Sequence, residues 1–123
     1  MVCPMGISKL TTRRKMSSRL RKKVEDIIDH VQATLDPEAL YLIGSMADGE
    51  HHQDSDLDLV VVMVGAINRQ KSAIKVHPTR PHKEVPLDLH LVSKKEWEEF
   101  STCGGVCFEA RQNGRLVYQK AVL

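Results

Sequence analysis

The 123-residue sequence predicts an α/β (or α+β) fold in which a small mixed β-sheet is flanked by helices. Three observations lead there. An apolar stripe at three- and four-residue steps runs through Leu20, Val24, Ile27, Ile28 and Val31, the period of an amphipathic helix. Three short apolar runs bounded by turn-forming or charged residues follow it. A Ser-x-x-Glu capping box, Ser93 to Glu96, then opens a second helix.

In chain order, residues 1–12 show no period, and residues 1–15 read as a loose lead-in to a single domain over 16–123. A helix is expected over 16–35. Asp36-Pro37 ends it, because a residue before proline is pushed out of the helical region. Residues 39–43 (ALYLI) form a first strand that stops at Gly44-Ser45. Residues 56–64 form a second strand. The charged stretch 68–84, rich in Lys, Arg, His and Pro, is expected to be a mobile loop. Residues 85–92 form a third strand. The helix opened by Ser93 carries Trp97, which is expected to pack it onto the sheet. Cys103-Gly104-Gly105 breaks that helix, a short one follows over about 106–112, and 116–118 adds a terminal strand.

Composition narrows the function classes. Hydrophobic residues make up 41% and aromatics only 4%, so one aliphatic core is feasible and no aromatic nucleic-acid platform is evident. Cys3, Cys103 and Cys107 lack the paired spacing of a zinc ribbon, and a reducing cytoplasmic setting suits them best. No secretory signal is visible, and the longest apolar run, 59–67, is about half of the ~20 residues a membrane span needs. Net charge is only +2, but seven basic and no acidic residues fall within 13–23, whereas five acidic residues and no Lys or Arg fall within 48–58. The basic run reads as a solvated helix start rather than a nucleic-acid patch.

The chemistry concentrates at Asp56, Asp58 and Asp88. Alternation along a strand sends Asp56 and Asp58 to one face while Leu57, Leu59 and Val61 enter the core. Aspartate is disfavoured in strands, so two at the head of an apolar strand call for a reason. On the third strand Leu87, Leu89 and Leu91 share a face, leaving Asp88 and His90 on the other. If the two strands are neighbours, three carboxylates crowd together and raise one another's pKa values. Mg²⁺ would relieve that repulsion with the all-oxygen ligation it prefers. Gly44-Ser45, at a strand end, lets backbone N–H groups approach phosphate oxygens closely.

Together Gly44-Ser45, Asp56-Leu57-Asp58 and Asp88 resemble the motif of the DNA polymerase beta-like nucleotidyltransferase superfamily: Gly-Ser, about ten residues, Asp-x-Asp on a strand, and a third carboxylate on a later strand. The small size and the ending Gly114-Arg115-Leu116-Val117-Tyr118 look most like its minimal nucleotidyltransferases. The resemblance implies a nucleotidyltransferase fold and a two-metal mechanism, with two Mg²⁺ ions (Mn²⁺ as a substitute) held by Asp56, Asp58 and Asp88, and with Gly44 and Ser45 binding the nucleotide. It implies transfer of a nucleoside monophosphate, AMP in the first instance, from ATP or another nucleoside triphosphate to a hydroxyl. It also implies a small helical HEPN-domain partner, with this chain as the antitoxin of a toxin–antitoxin pair.

One departure stands out. Asp48 occupies a stretch where minimal members often carry a basic residue, and an acid there does not help hold a triphosphate. The alternative reading is therefore a non-catalytic nucleotide- or partner-binding module that neutralises its partner by occupancy. Among other polar residues, His51 and His52 read as solvated loop residues and His90 as an ordinary strand histidine. Lys71, Lys75 and Arg80 are the candidates to reach triphosphate oxygens, and the sequence does not choose among them.

Overall fold

The structure, a computed structural model, describes residues 17–48, 56–101 and 104–120. The expected lead-in 1–15, His51, His52 and Cys103 lie outside the described residues, as do the side chains of Ser45 and Asp48. The first helix, α1 (Ser18–Leu35), begins where Ser17 accepts a hydrogen bond from the Leu20 amide. It ends at Asp36, which adopts the left-handed region (φ 50°) before Pro37. There follow β1 (Ala39–Ile43), a single turn α2 (Ser45–Asp48), β2 (Leu57–Met63), α3 (Arg69–Val76), β3 (Leu87–Ser93), α4 (Lys94–Phe100), α5 (Gly105–Asn113) and β4 (Arg115–Gln119). The Ser93 capping box closes as expected, with the Ser93 hydroxyl accepting from the Glu96 amide and the Glu96 carboxylate accepting from the Ser93 amide.

The sheet is mixed, in the order β3-β2-β1-β4. β1 runs antiparallel to both β2 and β4, and β2 runs parallel to β3. Apolar side chains on both faces bury it between two helical layers. On one face Val24, Ile27, Ile28 and Val31 of α1 meet Leu40, Leu42, Leu57, Leu59 and Val61. On the other, Ile43, Val60, Val62 and Val92 meet Cys107 and Ala110 of α5. Trp97 of α4 stacks on Tyr41 of β1, ring centroids 4.6 Å apart, and so packs its helix onto this second face. Each fully buried aliphatic side chain contributes about 1.5–3 kcal/mol. Val60, Val61 and Val62 therefore more than offset one half-buried carboxylate at the head of the same strand.

The stretch 68–84 departs from the expected loop. Its first half is α3, started by the Asn68 carboxamide, which accepts from the Lys71 amide at 2.8 Å. Val76 is fully buried in the first core, and the His30 ring lies 3.3 Å from the Val76 carbonyl oxygen. Arg69 Nε donates to the Leu91 carbonyl. The second half is tied down as well. Arg80 donates to the carbonyls of His82, Lys83 and Val85, and His82 and Glu84 pair with Asp26 and Lys23 of α1. Tertiary contacts, not local apolar period, order this segment. The helix is real.

Candidate active site

The site lies where β1, β2 and β3 meet at one end of the sheet. The β2–β3 register sets Asp58 directly opposite Asp88. Alternation gives Asp58 the face of Val60 and Val62, and the same rule gives Asp88 the face of His90 and Val92. Both carboxylates thus emerge on the sheet face that α4 and α5 cover further along. Asp58 is half-buried and Asp88 exposed. His90, expected as an ordinary strand histidine on the face of Asp88, has its Nε2 3.8 Å from Asp58 Oδ1.

Burial pushes the Asp58 carboxyl above the ordinary carboxylate range. The negative charge of Asp88 adds to the shift, Asp56 adds a smaller amount, and a hydrogen bond between the Asp58 and Asp88 carboxyls acts the same way, while His90 opposes them. The expected strand start is Asp56, but β2 begins one residue later at Leu57, so Asp56 falls just outside it and is exposed. Its neighbour Leu57 donates its amide to the Pro86 carbonyl, which fixes the head of β2 beside the approach to β3.

The β1 end closes the third side. Gly44, with φ +81°, follows the Ile43–Asp58 pair, and a Cβ built on it would lie 2.7 Å from Asp58 Oδ2. Only a residue without a side chain lets the backbone come this near the carboxylate in this conformation. The Gly44 carbonyl then accepts from the Ala47 amide as α2 begins.

The structure therefore brings together Gly44, Asp58, Asp88 and His90, with Asp56 within electrostatic reach. Among the described residues no three His, Cys, Asp or Glu side chains are gathered as a ready-made metal cage. The oxygen donors of Asp58 and Asp88 nevertheless suit a hard divalent cation, and the raised Asp58 carboxyl is the penalty such a charge would remove. Of the three candidate cations, Arg80 is committed to backbone carbonyls, while Lys71 and Lys75 lie exposed on α3. The described part of the basic run is largely paired: Arg21 with Glu25, Lys22 with Asp26, Lys23 with Glu84. One site neighbour escaped the sequence reading. Arg115, on β4, donates Nε to the Ala47 carbonyl at the end of α2.

A mixed sheet that sets carboxylates on adjacent strands beside a glycine turn is the arrangement expected of a nucleotidyltransferase. The chain belongs to the polymerase beta nucleotidyltransferase family, whose description, "Polymerase beta, Nucleotidyltransferase", it matches over residues 25–121. Solved structures share the fold. A proposed nucleotidyltransferase from Sulfolobus solfataricus superposes with a TM-score of 0.57 at 18% identity, covering 94% of this chain and 87% of that one. The toxin–antitoxin MntA-HpeT, in a variant with two aspartates two positions apart replaced by glutamate, gives 0.55 at 16% identity, covering 79% and 73%. A toxin–antitoxin structure with AMP-PNP gives 0.51 at 19% identity over the same shares. No curated protein sequence matches the chain. Among the described residues no helix is long and apolar enough to cross a membrane.

Proposed function

We propose that residues 16–123 act as one minimal nucleotidyltransferase unit that moves a nucleoside monophosphate, AMP in the first instance, from a triphosphate to a hydroxyl on a partner protein. The observation that carries this is the Asp58–Asp88 register pair with Gly44 set against the Asp58 carboxylate. The MntA-HpeT variant supports it further, since its two substituted aspartates have the spacing of Asp56 and Asp58.

In this reading Asp56, Asp58 and Asp88 hold divalent Mg²⁺, or Mn²⁺ in its place. The cation, when bound, supplies charge neutralisation at the phosphates and polarises the transferring group. Gly44 and Ser45 take the triphosphate, the glycine by letting backbone N–H groups approach its oxygens. Asp88, exposed at the rim, faces the acceptor and draws on its hydroxyl proton. The acceptor oxygen forms a bond to the α-phosphorus as the bond to pyrophosphate breaks, and the proton passes to the carboxylate and on to solvent. Beyond that the protein places reactants and steadies charge.

The partner is proposed to be a small helical HEPN-type toxin, with this chain as its antitoxin in the cytoplasm. The toxin–antitoxin assemblies among the solved relatives favour it. Asp48 favours a second reading, in which the chain binds nucleotide or partner and neutralises by occupancy alone.

The test is α-labelled ATP with Mg²⁺ or Mn²⁺, incubated with the protein and its candidate partner, beside an Asp56→Ala/Asp58→Ala control. Label on the partner that the control loses supports transfer. Neutralisation of the partner that survives in the control, with no label moved, supports occupancy.

A further inference from the structure

Gly114 and Arg115 form the corner between α5 and β4. The Gly114 amide donates to the Ala110 carbonyl at 3.0 Å and closes α5. A Cβ built on Gly114 would lie 2.5 Å from that carbonyl oxygen and 3.1 Å from Ile43 Cγ2, so the corner sits tightly on the end of β1. Ile43 is the residue that pairs with Asp58. Arg115 pairs in turn with Leu42. From there its Nε donates, at 3.1 Å, to the carbonyl of Ala47, 68 positions away in sequence. The Ala47 amide donates to the Gly44 carbonyl at 3.0 Å. Two hydrogen bonds thus link Arg115 to the glycine that abuts Asp58.

The turn 44–48 is short, and a single turn of helix has little stability of its own. Met46 and Ala47 anchor one side of it in the core. Arg115 supplies a second anchor, at the carbonyl end, where a cation is favoured. The guanidinium donors are rigidly arrayed in a plane, which fixes the direction of this anchor.

We propose that Arg115 is a positioning residue for the nucleotide: it holds the turn 44–48 against β4 and so sets the gap between Gly44 and the Asp58–Asp88 pair. This rests on the nucleotide-binding reading of that turn. Arg115 acts through the backbone of 44–48.

The experiment titrates ATP with Mg²⁺ calorimetrically into wild type, Arg115→Met, Arg115→Lys and Asp58→Ala, well below each melting temperature, with melting curves alongside. Arg115→Met keeps the apolar stem, removes the charge-assisted hydrogen bond to the Ala47 carbonyl, and is expected to weaken ATP about tenfold. Arg115→Lys, which keeps the charge and a donor but not the fork, is expected to be about threefold weaker than wild type. A merely structural role would lower the melting temperature and leave Kd on the folded protein unchanged, and that result overturns the inference. Should Arg115→Met fail to fold, Arg115→Lys decides alone, since an unchanged Kd there overturns it equally. ATP binding that Asp58→Ala abolishes and the Arg115 variants leave intact sinks this inference and spares the parent reading. Wild type that binds no ATP sinks both.

Discussion

Gly44 and Asp58 compete for one space: a Cβ on Gly44 would lie 2.7 Å from Asp58 Oδ2, while Gly44 itself holds φ +81°. The two consequences of adding a methyl group there separate. The backbone would be strained by about 1–2 kcal/mol, as for any L side chain in the left-handed region. The clash falls on the far end of a side chain that can rotate away. Gly44→Ala should therefore fold, lose about 1–2 kcal/mol in urea denaturation, and lose ATP binding out of proportion because Asp58 has moved. Nucleotide affinity that falls no further than in an equally destabilised core variant would show that the contact is incidental.

The raised Asp58 carboxyl yields a prediction about stability. Its native pKa lies above the unfolded value, so the native state binds the proton more tightly. Stability of the metal-free protein then falls as pH rises from the ordinary carboxylate range through the native pKa. Asp58→Asn removes the charge that burial and Asp88 penalise. In chelator-treated protein at pH 7 it should raise Tm by a few degrees while nucleotide binding is lost, with no such gain near pH 3. Equal Tm at pH 7 would mean that contacts besides His90 offset the penalty that burial, Asp88 and Asp56 place on the carboxylate.

Much of this arrangement is legible in the residues, for identifiable reasons. Strand alternation places Leu57, Leu59 and Val61 on one face and leaves Asp58 on the other, because the second core also takes Val60 and Val62. The Ser93 capping box and the docking of Trp97 are equally local signals. The same alternation extends the strand to Asp56, but pairing begins one residue later. What escaped depends on distant contacts. α3 has only Ala73, Ile74 and Val76 as apolar residues, and Ile74 is 64% exposed, so no stripe announces a helix. Arg115 reaches Ala47 across 68 residues, and no period along the chain encodes that meeting.

The missed helix gives its own test. Asn68 accepts from the Lys71 amide to begin α3, so Asn68→Ala should cost about 1 kcal/mol. Asn68→Asp, which keeps the acceptor, should cost a few tenths at most. Val76→Ala opens space in the first core and should cost about 2 kcal/mol. All three are read by denaturant midpoints. If 68–84 were a loop that merely rests on α1, Asn68→Ala would leave the midpoint where Asn68→Asp leaves it.

The link between α1 and the segment before β3 should give the fold an acid limb. His82 Nε2 stands 2.7 Å from Asp26 Oδ2 and Lys22 Nζ 3.1 Å from Oδ1. The His82 hydrogen bond, then that of Lys22, hold the Asp26 carboxyl below the ordinary carboxylate range. A depressed native pKa means that the unfolded state takes up the proton first. The stabilisation is therefore full above about pH 5 and is lost as pH falls below about 4 toward the native value. The two side chains are 28% and 30% exposed, and solvent still screens the pair, which limits it to about 1 kcal/mol. Asp26→Asn should lower stability at pH 6 by that modest amount and be indistinguishable from wild type near pH 2. Because the segment from His82 leads through Pro86, whose carbonyl receives the Leu57 amide, into the strand that carries Asp88, the same variant should leave the Asp58–Asp88 register intact only while Lys23–Glu84 and the Arg80 bonds persist. Adding Lys23→Ala to Asp26→Asn should then weaken nucleotide binding more than the two single variants sum to, and strict additivity in that double-mutant cycle would show that the segment needs neither tether to hold β3 in place.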